Sequence, residues 1–151
     1  TDTIRLLNNH LQTTSVSQNR KKWERELATD NTRREAQAVQ DAAETLHENF
    51  VKRAFQTDSI CQLATASPHP VLVCGDFNSL PSSYTYHRLS ESLKDGFKTG
   101  GHGYMYTYRY GKRMLRIDYA FHSPELECTD YYSPNLDLCS DHNPVIFTVK
   151  Y

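Results

Sequence analysis

Val71-Leu-Val-Cys-Gly-Asp-Phe-Asn78 is the stretch on which the fold turns. An apolar, β-branched run follows the break Ser67-Pro-His-Pro70, and such a run bounded by turn residues marks a buried strand. It closes on Gly75 and then on two short polar side chains, Asp76 and Asn78, around one aromatic. Alternation along an extended chain sends Asp76 and Asn78 to one side and Phe77 to the other. A helix-like segment follows, so the polar pair lies where a strand runs out, the place where layered α/β folds gather ligands and reacting groups. Taken alone, Gly-Asp-x-Asn is read more simply as an Asx-rich turn closing a strand.

Upstream, Thr32-Arg-Arg-Glu35 fits a capping box. Behind it Ala36, Val39, Ala43, Leu46 and Phe50 recur at three- and four-residue steps, which predicts an amphipathic helix laid against a sheet by that apolar stripe. The helix runs on to about Ala66, where the two prolines stop it. Before it, Thr3 to Leu11 reads as a strand carrying Asn9 and His10 near its end; a lone His there is more often structural than catalytic. Between Thr13 and Asn31 the chain is polar, with Arg20-Lys-Lys-Trp-Glu-Arg25 inside it. That stretch reads as a loop with a helical piece, its charges a solvated face rather than a phosphate-contacting patch.

Downstream, Pro81-Ser-Ser83 is a helix start and Gly96 its stop. Gly100-Gly-His-Gly103 is a break. The remainder predicts strands over Tyr104 to Tyr110, Met114 to His122, Leu126 to Tyr132 and Pro144 to Tyr151. A chain of 151 residues suits one domain, and 17 Lys plus Arg against 18 Asp plus Glu leave no global field for nucleic acid or acidic lipid. A polyanionic substrate would have to be held by local groups or a metal. The four cysteines are not at metal-ligand spacing, and Cys74 reads as a small buried hydrophobe. No signal peptide or membrane-spanning run is visible.

Two more acidic groups stand in or beside strands. Arg116-Ile-Asp118-Tyr-Ala-Phe121 places a carboxylate in an apolar, aromatic run, and Ser140-Asp-His-Asn-Pro-Val145 sets Asp141 beside His142 before the last strand. A carboxylate in such a run is costly unless hydrogen-bonded or metal-bound. In order, Asn-His, Gly-Asp-x-Asn, Arg-Ile-Asp-Tyr and Ser-Asp-His-x-Pro-Val each fall on a strand edge. In this the sequence resembles the endonuclease/exonuclease/phosphatase superfamily, the DNase I-like metal-dependent phosphoesterases, over nearly the whole chain.

The resemblance implies an α+β fold, a four-layer α/β/β/α sandwich, with residues 1–151 as the C-terminal part of one catalytic domain. It implies a hydrolase for a phosphoester, with DNA, RNA ends, nucleotides and lipid head groups among the family's substrates. It implies Mg²⁺ or Mn²⁺ as cofactor. Carried over residue by residue, His142 becomes the general base and Asp118 its orienting carboxylate. His10 steadies a phosphate oxygen or protonates the leaving group, Asp76 and Asn78 hold the nucleophile and phosphoryl oxygens, and Asp141 binds the metal. The residue types suit that chemistry: Mg²⁺ takes carboxylate and amide oxygens, and two histidines can divide acid and base work near neutral pH. Arg109 and Arg116 near these motifs are read as structural or surface residues. A calcineurin-like metallophosphatase is disfavoured because the Gly-Asp motif does not continue with its further ligands. A zinc hydrolase is disfavoured because no two His flank a Glu at ligand spacing.

The family also draws an Asn and a metal-binding Glu from its N-terminal half. This chain shows neither, and Glu24, Glu26 and Glu35 sit in the polar, helical stretch where none can substitute. A strand-like run directly at the start, Ile4 to Leu7, carries the same expectation of a chain that begins inside a larger protein. Two expectations follow: weak metal binding with little hydrolysis by the chain alone, and self-association through an exposed sheet face. The alternative is a non-catalytic module that keeps the fold for binding or assembly.

Overall fold

Strand β2 (Val71–Asp76) is an inner strand of a four-stranded sheet in the computed structural model. Residues 3–14, 19, 24–25, 28, 32–110, 113–136 and 139–151 are described. The surface helix expected between Thr13 and Asn31, and Glu26 with it, falls mostly outside them. The sheet runs β1-β2-β4-β3, with β1 (Arg5–His10) parallel to β2, and β4 (Asp118–His122) antiparallel to β2 and to the short β3 (Lys94–Asp95). Strands β5 (Glu127–Tyr132) and β6 (Ile146–Lys150) form a second, antiparallel pair.

The first sheet buries both faces, as the alternation in β2 requires. Val71, Val73 and Phe77 point to one side, where they meet Ile60, Cys61 and Ala64 of helix α1 (Thr32–Thr65) and Tyr86 and Leu89 of helix α2 (Tyr84–Ser90). Val73 and Phe77 are fully buried, worth about 1.5–3 kcal/mol each. On the other side Cys74, which is half-buried, and Ala120 meet Met105, Cys128, Tyr131, Phe147 and Val149. Helix, sheet and sheet therefore follow one another as layers. No described helix is long and apolar enough to cross a membrane.

Gly75 permits the close approach of β1. Its φ is +133°, and a Cβ there would lie 1.8 Å from the carbonyl oxygen of Asn9. Three residues on, Asn78 takes a left-handed φ of 47°, a conformation that Asn tolerates better than most residues.

Several expectations change. Helix α1 has the expected extent, but Thr32 is its first residue, and Asn31 before it lies outside the described residues. Its buried face is not the apolar stripe: Val39 and Phe50 are more than half exposed, and Ala36 and Ala43 are exposed too. Turned inward are Ala38, Asn49, Arg53, Thr57, Ile60, Cys61 and Ala64; Asn49 and Arg53 reach the polar backbone of Thr14 and Gln12, and Ile60, Cys61 and Ala64 pack into the core. Helix α2 begins after Ser83, whose hydroxyl accepts from Tyr86 N as a cap, but ends at Ser90. Gly96 is then the first residue of a further short helix, α3 (Gly96–Gly100), capped by Asp95. Glycine is needed there because a Cβ would press on the Tyr131 ring at 2.8 Å. Tyr104 to Tyr110 is not a strand; Tyr108 alone makes bridges, to Leu115 and to His142.

Candidate functional site

Strand register gathers the site. His10 on β1 pairs with Asp76 on β2, and Asp76 pairs with Asp118 on β4, so three polar residues form one row across the end of the sheet. Directly paired residues project to the same face. The loop before β6 then brings His142 over this row. Its Nδ1 lies 2.8 Å from Asp118 Oδ2, and its Nε2 lies 3.9 Å from Asp76 Oδ2. His10 Nε2 approaches the same Asp76 oxygen at 3.6 Å from a side chain that is 76% exposed. Asn78 closes the group from below: its amide N donates to Asp76 Oδ1 at 2.8 Å, and its Nδ2 lies 3.1 Å from both Asp76 Oδ2 and Leu11 O. Five of the six expected residues thus converge.

Burial pushes the Asp76 carboxyl above its ordinary value, the Asn78 amide opposes this, and the Asp118 charge adds to the rise. Two carboxylates brought together across adjacent strands form a place for a cation. Among the described residues, one ligating atom each of Asp76, Asp118 and His142 lie within 4.8 Å of one another.

Asp141 stands apart from that group. It is exposed, and its backbone carbonyl accepts from Arg109 N at 2.8 Å. Neighbouring residues of an extended segment point opposite ways, so the turn that brings His142 inward carries Asp141 outward, where it lines an adjoining hollow with Arg109 and Arg113. Arg116 has the structural role expected of it. It is buried, paired through both Nη atoms with Asp95 at 3.1 and 2.8 Å, and stacked over Tyr119, Phe97 and Tyr86. Arg109 braces the Ser140 carbonyl through Nη1 at 2.9 Å.

Three supports were not foreseen. Thr107 is fully buried, its Oγ1 accepts from both Ile117 N and Asp118 N at 3.0 Å, and its carbonyl accepts from Asn143 N at 2.7 Å. One residue thereby joins the strand bearing Asp118 to the loop bearing His142. The Tyr108 ring stands edge-on to the His142 imidazole, centroids 5.2 Å apart. Helix α1 clamps the chain just past His10: Gln56 Oε1 accepts from Gln12 N, Arg53 Nη1 donates to Gln12 O at 2.8 Å, and Asn49 Nδ2 reaches Thr14 O. The sequence signal for this clamp is polar residues at positions 49, 53 and 56, the spacing of one helix face.

The model of the Endonuclease/Exonuclease/phosphatase family matches residues 11–142. No curated protein matches the chain. Among solved structures, an endonuclease/exonuclease/phosphatase from Bacteroides vulgatus is 26% identical, with a TM-score of 0.55 over 68% of this chain and 44% of that one. A functionally unknown conserved protein from Enterococcus faecalis V583 is 18% identical, with a TM-score of 0.60 over 67% of this chain and 45% of that one. Truncated Caenorhabditis elegans TDP2 is also 18% identical, with a TM-score of 0.52, and covers 94% of this chain, which spans 53% of it. The chain therefore spans about half or less of the length of each of these three structures.

Proposed function

The chain belongs to the endonuclease/exonuclease/phosphatase family, and from that premise we propose that it carries the proton-transfer centre of a divalent-metal-dependent phosphoester hydrolase. The observation that carries this reading is the Asp118–His142 contact with Asp76 on its far side. A carboxylate accepting from Nδ1–H fixes the tautomer in which Nε2 has a lone pair. Nε2 then takes a proton from the attacking water as the water oxygen bonds to phosphorus and the P–O bond to the leaving group breaks. His10, at the open side, donates a proton to the departing oxygen or steadies a phosphoryl oxygen. Asp76 holds the water in line, and Asn78 holds Asp76.

Asp76 and Asp118 are the ligands we assign to Mg²⁺ or Mn²⁺. Their crowding suits a cation, and both offer the oxygen donors such ions take. When bound, the cation neutralises phosphoryl charge and makes water a stronger acid. Asp141, implied as the metal ligand by resemblance, is on the outer side of its loop and is left out of this set. Turnover is proposed for the whole protein, since the chain covers less than half of the length of the Enterococcus faecalis and Bacteroides vulgatus structures. The test is hydrolysis of p-nitrophenyl phosphate and its bis-ester with Mg²⁺ or Mn²⁺, reversed by EDTA. His142→Ala should lower kcat by about 10²–10⁴-fold. Absence of metal-dependent turnover, or an unaffected His142→Ala, overturns the reading.

We propose further that the chain by itself self-associates. A cavity of about 400 Å³ opens between the sheets, and its apolar part, Cys74, Ala120, Val145 and Phe147 beside Asp118 and His142, offers surface to a second copy. A strictly monomeric species in sedimentation over a wide concentration range overturns this.

A further inference from the structure

The hollow beside the catalytic cluster holds groups that hydrolysis of a bare phosphate does not use. From the His142 imidazole, the Tyr108 ring follows at 5.2 Å and 65°, and the Tyr110 ring repeats the step at 5.8 Å and 67°. Three flat rings thus lead from the proton-accepting nitrogen to solvent, where Tyr110 is 64% exposed. A role as sheet-forming residues does not account for them, because the Tyr104–Tyr110 stretch forms no strand. Tyr110 also lines a cavity of about 420 Å³ with Arg109, Arg113, Ser140 and Asp141. That volume falls in the range of small-molecule sites.

We propose that Tyr110, with Arg109 and Arg113, forms a subsite for the nucleobase of a substrate whose scissile phosphoester sits against His142. The inference rests on the phosphoesterase reading of the cluster and names its substrate class: a nucleotide, or the terminal nucleotide of a strand. An exposed aromatic face beside a phosphate site is a stacking platform for a planar ring, which an inositol, a hexose or a lipid chain does not provide. The hollow also offers a polar edge. Guanidinium N–H groups donate to ring nitrogens and carbonyls, and Asp141 accepts from exocyclic amines. A plain phenyl ring has no such edge to be read. Formal net charge of −1 supplies no field for a long polyanion, so the groups of the hollow itself must hold the ligand.

The test titrates the chain, with Mg²⁺ present, against adenosine 5′-monophosphate and against ribose 5-phosphate, which differ only by the base. Calorimetry should show the nucleotide binding tighter by on the order of tenfold. Tyr110→Ala should bring it to the level of ribose 5-phosphate and leave the latter unchanged, whereas Tyr110→Phe should keep the preference. Tyr110 is exposed, so both variants should melt as the parent does. Equal binding of the two phosphates by the parent, or a preference that survives Tyr110→Ala, overturns the subsite and leaves the phosphoesterase reading standing. If neither phosphate binds, the subsite falls, and the phosphoesterase reading is decided separately by metal-dependent turnover of the whole protein.

Discussion

Asp118 and His142, 24 residues apart in the chain, meet at 2.8 Å through Oδ2 and Nδ1. An acceptor-only partner on Nδ1 leaves the neutral imidazole one tautomer, protonated on Nδ1 with Nε2 turned to the carboxylate of Asp76. An amide in place of Asp118 can present its NH₂ instead and admit the opposite tautomer. Asp118→Asn is therefore expected to lower turnover of the whole protein by about 10²–10⁴-fold. In the chain, ¹⁵N chemical shifts of His142 should change from Nδ1–H alone to a mixture. An unchanged tautomer would show that Asp118 does not set it.

Thr107 holds that pair in register. Thr107→Val keeps the shape but removes Oγ1, leaving the part-buried amides of Ile117 and Asp118 without their acceptor. Each unsatisfied donor costs about 1–3 kcal/mol. Urea denaturation should show a loss of that order at least, and Thr107→Ser should recover most of it. Should Thr107→Val be too unstable to purify, the comparison of Thr107→Ser with the parent still decides. A serine variant as damaged as the valine one would locate the cost in the methyl group's packing, not in the hydroxyl.

Much of this site was legible because strand alternation is local. Gly75, Asp76, Phe77 and Asn78 sort to their faces by period two, and the strand ends that carry His10 and Asp118 could be read from composition. Their convergence was carried by the resemblance; the row His10–Asp76–Asp118 depends on cross-strand register, which no single stretch encodes. The buried face of α1 was misread for a related reason. Apolar periodicity marks the face that meets hydrophobic surface, but the middle of α1 meets the backbone of Gln12 and Thr14, so Asn49 and Arg53 turn inward and Phe50 outward. Asp141 and His142 are adjacent in one loop, and only the turn itself shows which of them faces in.

Asp76 makes stability depend on pH with a definite sign. Its folded-state carboxyl lies above the ordinary value of 3.8, chiefly through burial. The folded chain therefore holds this proton more tightly than the unfolded one, and stability falls as pH rises above about 3.8 through the folded-state value. In EDTA, Asp76→Asn should raise the urea midpoint at pH 7, and the gain should vanish below pH 3.8, where both carboxyl forms are neutral. Adding Mg²⁺ should then stabilise the parent and leave the variant unmoved. A variant that loses stability at pH 7 would show that the Asn78 bonds to the ionised carboxylate outweigh its burial.

Arg53 and Asp76 should be coupled in the same measurement. Arg53 is buried; burial lowers its guanidinium pKa, and the charge of Asp76 acts to raise it. Arg53 Nη1 also supplies the bond to Gln12 O, while its Nη2 finds no partner among the described residues. Arg53→Met removes a poorly solvated cation together with its bond to Gln12 O and its place over the Phe50 ring. The loss from the unpaired carbonyl is about 1–3 kcal/mol, reduced by whatever the desolvated charge was costing. With Asp76 already neutralised, the cation has less to attract it, so Arg53→Met in the Asp76→Asn background should cost less than it does in the parent. Four urea midpoints close this cycle. A non-additive term above about 0.5 kcal/mol at pH 7, shrinking as Asp76 protonates, ties the clamp on the His10 segment to the charge of the catalytic row. Strict additivity at both pH values would mean that Arg53 serves the backbone of Gln12 alone.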